Sequence, residues 1–213
     1  ASTSAPSSCG ASPRRPGNRD AACAQCGFSM EQADRVFGGP PALHPPVCDL
    51  AKLLSGGEKQ RLMLAARRFE AKFPQVRLAI ITKAVPQGVP MRGLVFWLFN
   101  RAGLCSSMEK GGDCHLVLLF LDPTARVLSG MIGYGLEPFL ARAELEQCLA
   151  TGQADFTASK WGEGLAKTLR GLDERFTSIC TGNERTFGLA PEWTLITDDI
   201  PPAEAEHAQA AAF

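Results

Sequence analysis

Tyrosine and histidine are scarce in this chain, with one tyrosine and three histidines among 213 residues. An excess of charge of either sign is lacking too, since Lys+Arg and Asp+Glu both number 22. The basic residues are scattered and not interleaved with aromatics, which excludes the footprint of a nucleic-acid binder. No window reaches the roughly 18 consecutive apolar residues that a membrane span requires. Nor does a charged segment followed by an apolar one stand at the start. The expectation is a chain without a transmembrane segment, compatible with the mature form of an exported precursor. Its hydrophobic fraction of 45% is enough to build a core for one principal domain.

The stretch His115 to Leu140 organises the remainder. Leu116-Val117-Leu118-Leu119-Phe120-Leu121 shows no polar alternation, which predicts a strand covered on both faces. Asp122-Pro123-Thr124-Ala125 makes a turn, because proline presets φ and aspartate suits the first turn position. Arg126 to Ile132 then returns antiparallel, and Gly133-Tyr134-Gly135-Leu136-Glu137-Pro138 forms a glycine elbow leading to a helix over 142–150. Upstream, a strand at 76–82 and a helix at 91–101 precede the central strand. That is strand-helix-strand grammar, which predicts strands 76–82 and 116–121 parallel in one sheet. Asp155-Phe156 reads as a turn, and Ser159 or Thr157 caps a last helix reaching about residue 179. Trp193 is expected to pin the start of the tail.

A nucleotide site is excluded at two places. Leu54-Ser55-Gly56-Gly57-Glu58-Lys59-Gln60-Arg61 resembles the signature of ABC-type ATPases, but no G-x4-G-K-[ST] loop accompanies it, and the nearest attempt has Ala166 before Lys167. No ATP is expected. Ser55 and Glu58 instead have the spacing of a helix capping box, and Leu62, Ala65, Phe69 and Phe73 recur on one face of the helix that follows. Gly133-x-Gly135 lacks the third glycine of the dinucleotide fingerprint and follows an antiparallel strand. Its glycines are read as allowing a sharp turn or a close backbone approach.

Eight cysteines are many for a cytosolic protein and too few for a disulfide-built miniprotein. Cys23 and Cys26 form a C-x2-C turn, and His44 and Cys48 complete a four-ligand set of the kind zinc holds in a tetrahedron. The same set admits two other chemistries, a disulfide or redox pair and plain thiols. Between these ligands Ser29 is placed to cap a short helix through Phe37, with Gln32 closing a capping box. Cys105 and Cys114 bracket a glycine-rich loop and are spaced for a small disulfide in an exported protein. Cys148 and Cys180 read as small buried hydrophobes.

The series VRLAIIT, FWLFNRAGL, a glycine-rich loop with Asp113, HLVLLFLD and GMIGYGLEPFL resembles the TPM domain family, and DFTASKWGEGLAKTL is similar to that family's closing segment. The family includes thylakoid lumenal proteins with acid-phosphatase-like activity and many exported bacterial proteins. The resemblance covers about residues 50–180, and Gly133-Tyr134-Gly135 with Leu136-Glu137 is its most specific marker. It implies an α/β fold, a three-layer α/β/α sandwich with a small mixed sheet, here joined to a short Cys-containing N-terminal segment. The expected organisation is a disordered tail over 1–22, a Cys-rich knuckle over 23–48, the α/β domain over 49–180 and a C-terminal tail over 181–213.

The resemblance also implies a divalent-cation site for Ca or Mg and a phosphatase activity. Asp113 and Glu137 are the carboxylates for that chemistry, in which a hard cation polarises the phosphoryl oxygens and activates water. Asp113 and Asp122 would stand about 26 Å apart along an extended strand, so they cannot share one ion, and Asp122 is read as a turn residue. Where the family reads Asp-Asn-Gly, this chain reads Asp113-Cys114-His115. That departure motivates the first functional reading, an accessory or binding domain docking on a larger assembly, with a protein partner and a membrane-associated setting. The alternative is a weak divalent-cation-dependent phosphatase acting on phosphomonoesters. The expected location is exported or periplasmic, with a cytoplasmic one left open.

Overall fold

The computed structural model describes residues 29–104 and 114–186. The chain divides into two compact units, Ala1–Arg175 and Phe176–Phe213. The first unit carries the sheet and the helices discussed below. Of the second, the described part is the C-terminal end of the last helix.

The order of elements is α1 (Met30–Phe37), β1 (Val47–Asp49), α2 (Gly56–Lys72), β2 (Arg77–Thr82), α3 (Met91–Arg101), β3 (Leu116–Asp122), β4 (Val127–Ile132), α4 (Arg142–Ala150), α5 (Gln153–Thr157) and α6 (Trp161–Thr186). Both expected capping boxes are present. Gln32 N–H donates to Ser29 Oγ at 3.2 Å to start α1, and Glu58 N–H donates to Ser55 Oγ at 3.3 Å to start α2. Each satisfies a backbone donor that the first helical turn would otherwise leave unpaired.

The four strands form one mixed sheet in the order β1-β2-β3-β4. β1 and β2 are parallel, β2 and β3 are parallel, and β4 returns antiparallel to β3. All seven residues of β3 are buried, as its unbroken apolar run predicts for a strand with a layer on each face. On one face Ala79, Ile81, Leu116, Leu118 and Phe120 join Leu94, Trp97 and Leu98 of α3 and Ala33 of α1 in a common core. Trp97 is almost fully buried. Its indole N–H donates to Asp34 at 2.8 Å, and Arg101 pairs with the same carboxylate at 2.8 Å, so α1 is tied to α3 and the indole N–H, which would be costly to bury unpaired, has its acceptor. Side chains alternate across a strand, so Leu78, Ile80, Val117, Leu119 and Leu121 project to the opposite face. There α2 contacts β1 and β2, and α4 contacts β4. α6 is joined to these helices by Lys72–Asp173 at 2.7 Å and by the Arg175–Glu144 pair. Fully burying a leucine or isoleucine stabilises by about 1.5–3 kcal/mol, so the buried aliphatics on the two faces of β2 and β3 contribute substantially to the favourable term.

Three features depart from expectation. β1 is a strand of three residues, too short to show a hydrophobic period, and it runs across the expected boundary between 48 and 49. Asp155 and Phe156 lie in the short helix α5, not in an isolated turn, because Phe156 is drawn fully into the core beside Gly164. The final helix continues to Thr186 with Ser159 outside it at positive φ. The expected N-terminal tail over 1–22 and Trp193 lie outside the described residues.

Candidate functional site

Open parallel sheets place sites at the carboxyl ends of their strands, and three polar side chains stand there. Asp49 ends β1, Thr82 ends β2 and pairs with it in register, and Asp122 ends β3. Each is already engaged by hydrogen bonds within the fold. Asp49 accepts Leu53 N–H and Leu54 N–H at 3.0 Å each and also the Thr82 hydroxyl, which closes the loop between β1 and α2. Asp122 is buried and accepts Thr124 N–H at 2.9 Å, as its reading as a turn residue requires, and Val85 N–H at 3.4 Å. Asp49 was not singled out in the sequence. The signal that would have found it is an aspartate six residues ahead of the helix N-cap Ser55, which only becomes meaningful once β1 is known to be a strand.

The opposite edge holds the glycine elbow. Gly133 N–H donates to Leu116 carbonyl at 2.8 Å and Gly135 N–H to Cys114 carbonyl at 3.1 Å, so the elbow lies on the start of β3. A Cβ on Gly133 would stand 2.0 Å from the Cys114 oxygen, and one on Gly135 would stand 2.6 Å from His115 Nε2. Close approach is therefore what both glycines provide. Leu136 and Leu140 turn inward and are buried, while Tyr134 and Phe139 are 48% and 49% exposed. Burial of its ring, with the Glu137 charge second, pushes the Tyr134 phenol up from its ordinary value.

Of the residues proposed for metal chemistry, Asp113 lies outside the described residues. The carbonyl of its neighbour Cys114 accepts Gly135 N–H, two residues from the exposed Glu137. Cys23 and Cys26 also lie outside. Cys48 is buried in β1, and its thiol meets the main chain of His44, whose side chain belongs to an exposed residue. Burial is the larger influence and pushes that thiol up. Among the described residues no group of three His, Cys, Asp or Glu side chains is gathered for a metal ion. Cys114 is disulfide-bonded, whereas Cys48, Cys148 and Cys180 are free, so the partner of Cys114 lies outside the described residues, as Cys105 does. Cys148 is buried as expected, but Cys180 is exposed.

No helix among the described residues is long and apolar enough to cross a membrane. No curated protein matches the chain. Among solved structures, the N-terminal domain of a protein from P. gingivalis superposes with a TM-score of 0.53 at 22% identity, covering 61% of this chain and 80% of that one. The BA42 protein from the psychrophilic bacterium Bizionia argentinensis superposes with a TM-score of 0.52 at 12% identity, covering 61% of this chain and 86% of that one. At these identities the likeness concerns the α/β fold. The family model of the TPM domain matches residues 47–175, from β1 to the Arg175 turn of α6, and the chain belongs to the TPM domain family.

Proposed function

We propose that this TPM domain is an accessory binding module that docks on a larger assembly through the elbow after β4. The observation that carries the reading is the elbow itself. Its backbone is fixed on β3 by two hydrogen bonds and anchored by buried Leu136 and Leu140, while Tyr134 and Phe139 face solvent. Rigid, half-exposed aromatics lose little conformational freedom on binding and dominate the energetics of protein interfaces. The described strand-end carboxylates support the same reading, since Asp49 and Asp122 are engaged by backbone N–H groups.

The test is the native size of the protein in an extract of the cells that make it. Wild type is expected in an assembly well above 22.8 kDa, and the Tyr134→Ser, Phe139→Ser double variant is expected at the size of the free chain with an unchanged melting temperature. A wild type that runs as free monomer contradicts the proposal. A divalent-cation phosphatase using Asp113 and Glu137 is the competing reading. It is supported by the exposure of Glu137, two residues after Gly135, whose N–H donates to the carbonyl of Cys114, the residue that follows Asp113 in the chain.

A further inference from the structure

The solvent face of α2 is cationic although the chain as a whole is neutral. Its helical periodicity buries Leu62, Ala66 and Phe69 on one side and leaves Leu64 49% exposed on the other. On a helix surface the neighbours of a residue lie three and four positions away. For Leu64 these are Gln60, Arg61, Arg67 and Arg68, all exposed. An exposed leucine is thus ringed by three arginines.

None of the three arginines forms an ion pair among the described residues. The acids of α2 are turned to backbone: Glu58 accepts Ser55 N–H at 2.9 Å and Glu70 accepts Leu78 N–H at 2.9 Å. Lys72, at the last turn, is paired with Asp173. Arg61 lies near enough to Glu58 to favour its ionised form, but the carboxylate stays on the cap. The outward arc from Gln60 to Arg68 therefore carries positive charge alone, with an aliphatic side chain at its centre.

We infer that this face of α2 binds an anionic lipid surface, the arginines meeting headgroup phosphates and Leu64 entering the interface between them. A convex helix with one sign of charge and no aromatic on the arc offers a protein partner neither a pocket nor an anchor. A bilayer surface needs neither, because it presents a dense sheet of phosphates that accommodates any register, and guanidinium groups bind phosphate bidentately. The proposal is independent of the elbow reading, since it rests on different residues and a different readout.

The full chain is tested by co-sedimentation with vesicles of phosphatidylcholine and with vesicles doped with phosphatidylglycerol, in about 0.1 M and about 1 M salt. Binding is expected only to the doped vesicles and only at the lower salt. Each arginine near such a surface contributes on the order of fivefold in affinity, so Arg61→Gln, Arg67→Gln, Arg68→Gln together should weaken binding by at least about tenfold. Leu64→Ser should weaken it severalfold while keeping the salt dependence. These positions are exposed, so the melting temperature should be unchanged, and circular dichroism verifies the fold of each variant. Equal binding to both vesicle types, or a triple variant that binds like wild type, overturns the proposal. Capture by immobilised polyglutamate without vesicle binding also overturns it and assigns the face to an acidic protein.

Discussion

The imidazole of His115 packs directly on the backbone of Gly135, so that a Cβ at 135 would meet Nε2, Cδ2 and Cε1 of that ring at 2.6–2.9 Å. The three nearest neighbours of that absent Cβ belong to one side chain. Gly135→Ala should therefore destabilise by about 1–3 kcal/mol through overpacking, and His115→Ala should relieve most of the penalty in the double variant. Gly133 differs, because its absent Cβ points at the main chain of Cys114. Gly133→Ala should cost about 3 kcal/mol or more and should not be relieved by changing His115. Gly39→Ala, with no heavy atom within 4 Å of the added carbon, is the control. Urea unfolding of the set checks the pattern.

The capping box of α2 predicts a pH dependence with a definite sign. Hydrogen bonds from the Ser55 side chain and then from its backbone hold the Glu58 carboxyl below its ordinary value. A lowered folded pKa gives stability that is present above the unfolded value of about 4.3 and is lost as pH falls through the folded value. Ser55→Ala should cost about 1 kcal/mol at pH 7. The difference in melting temperature from wild type should shrink in acid, and Glu58→Gln should flatten the same acid limb.

Tyr134 is the chain's one tyrosine, so its titration can be followed by ultraviolet absorbance without overlap from another phenol. Burial and then Glu137 raise its pKa, which predicts a midpoint above about 10 in the folded protein. The associated stability is present below the unfolded value and lost as pH rises through the folded one. Glu137→Gln should move the midpoint down, and denaturation should return it to the ordinary value.

Much of this architecture was legible from residue pattern. The apolar run of β3, the Ser55 and Ser29 boxes and the Asp122 turn each act through chain-local physics, and each is found where expected. β1 was hidden because a strand of three residues has no period, and its existence depends on pairing Val47 with Ile80, far away in sequence. Asp49 was hidden with it. The elbow glycines were recognised as a motif, but that their missing side chains make room for Cys114 and His115 follows only from the β3–β4 pairing.

The enzymatic reading and the metal sites are decided together by composition and rate. A phosphomonoester assay with Ca²⁺ or Mg²⁺ should show no activity that Asp113→Asn or Glu137→Gln removes, if the domain is a binding module. A cation-dependent rate lost in Asp113→Asn establishes the phosphatase instead. Metal analysis of the full chain should find about one zinc per chain if Cys23, Cys26, His44 and Cys48 form a closed site, and none if they are thiols or a disulfide.

The central claim is that the elbow is the docking surface, and a photo-crosslinking residue placed at position 134 tests it most directly. Irradiation of the cells that make the protein should give one dominant adduct of fixed mass, absent when the crosslinker is placed at the exposed Leu50 of the opposite edge of the sheet and lost on Phe139→Ser. A protein that gives no adduct from 134, or gives the same adducts from 50, contradicts the account.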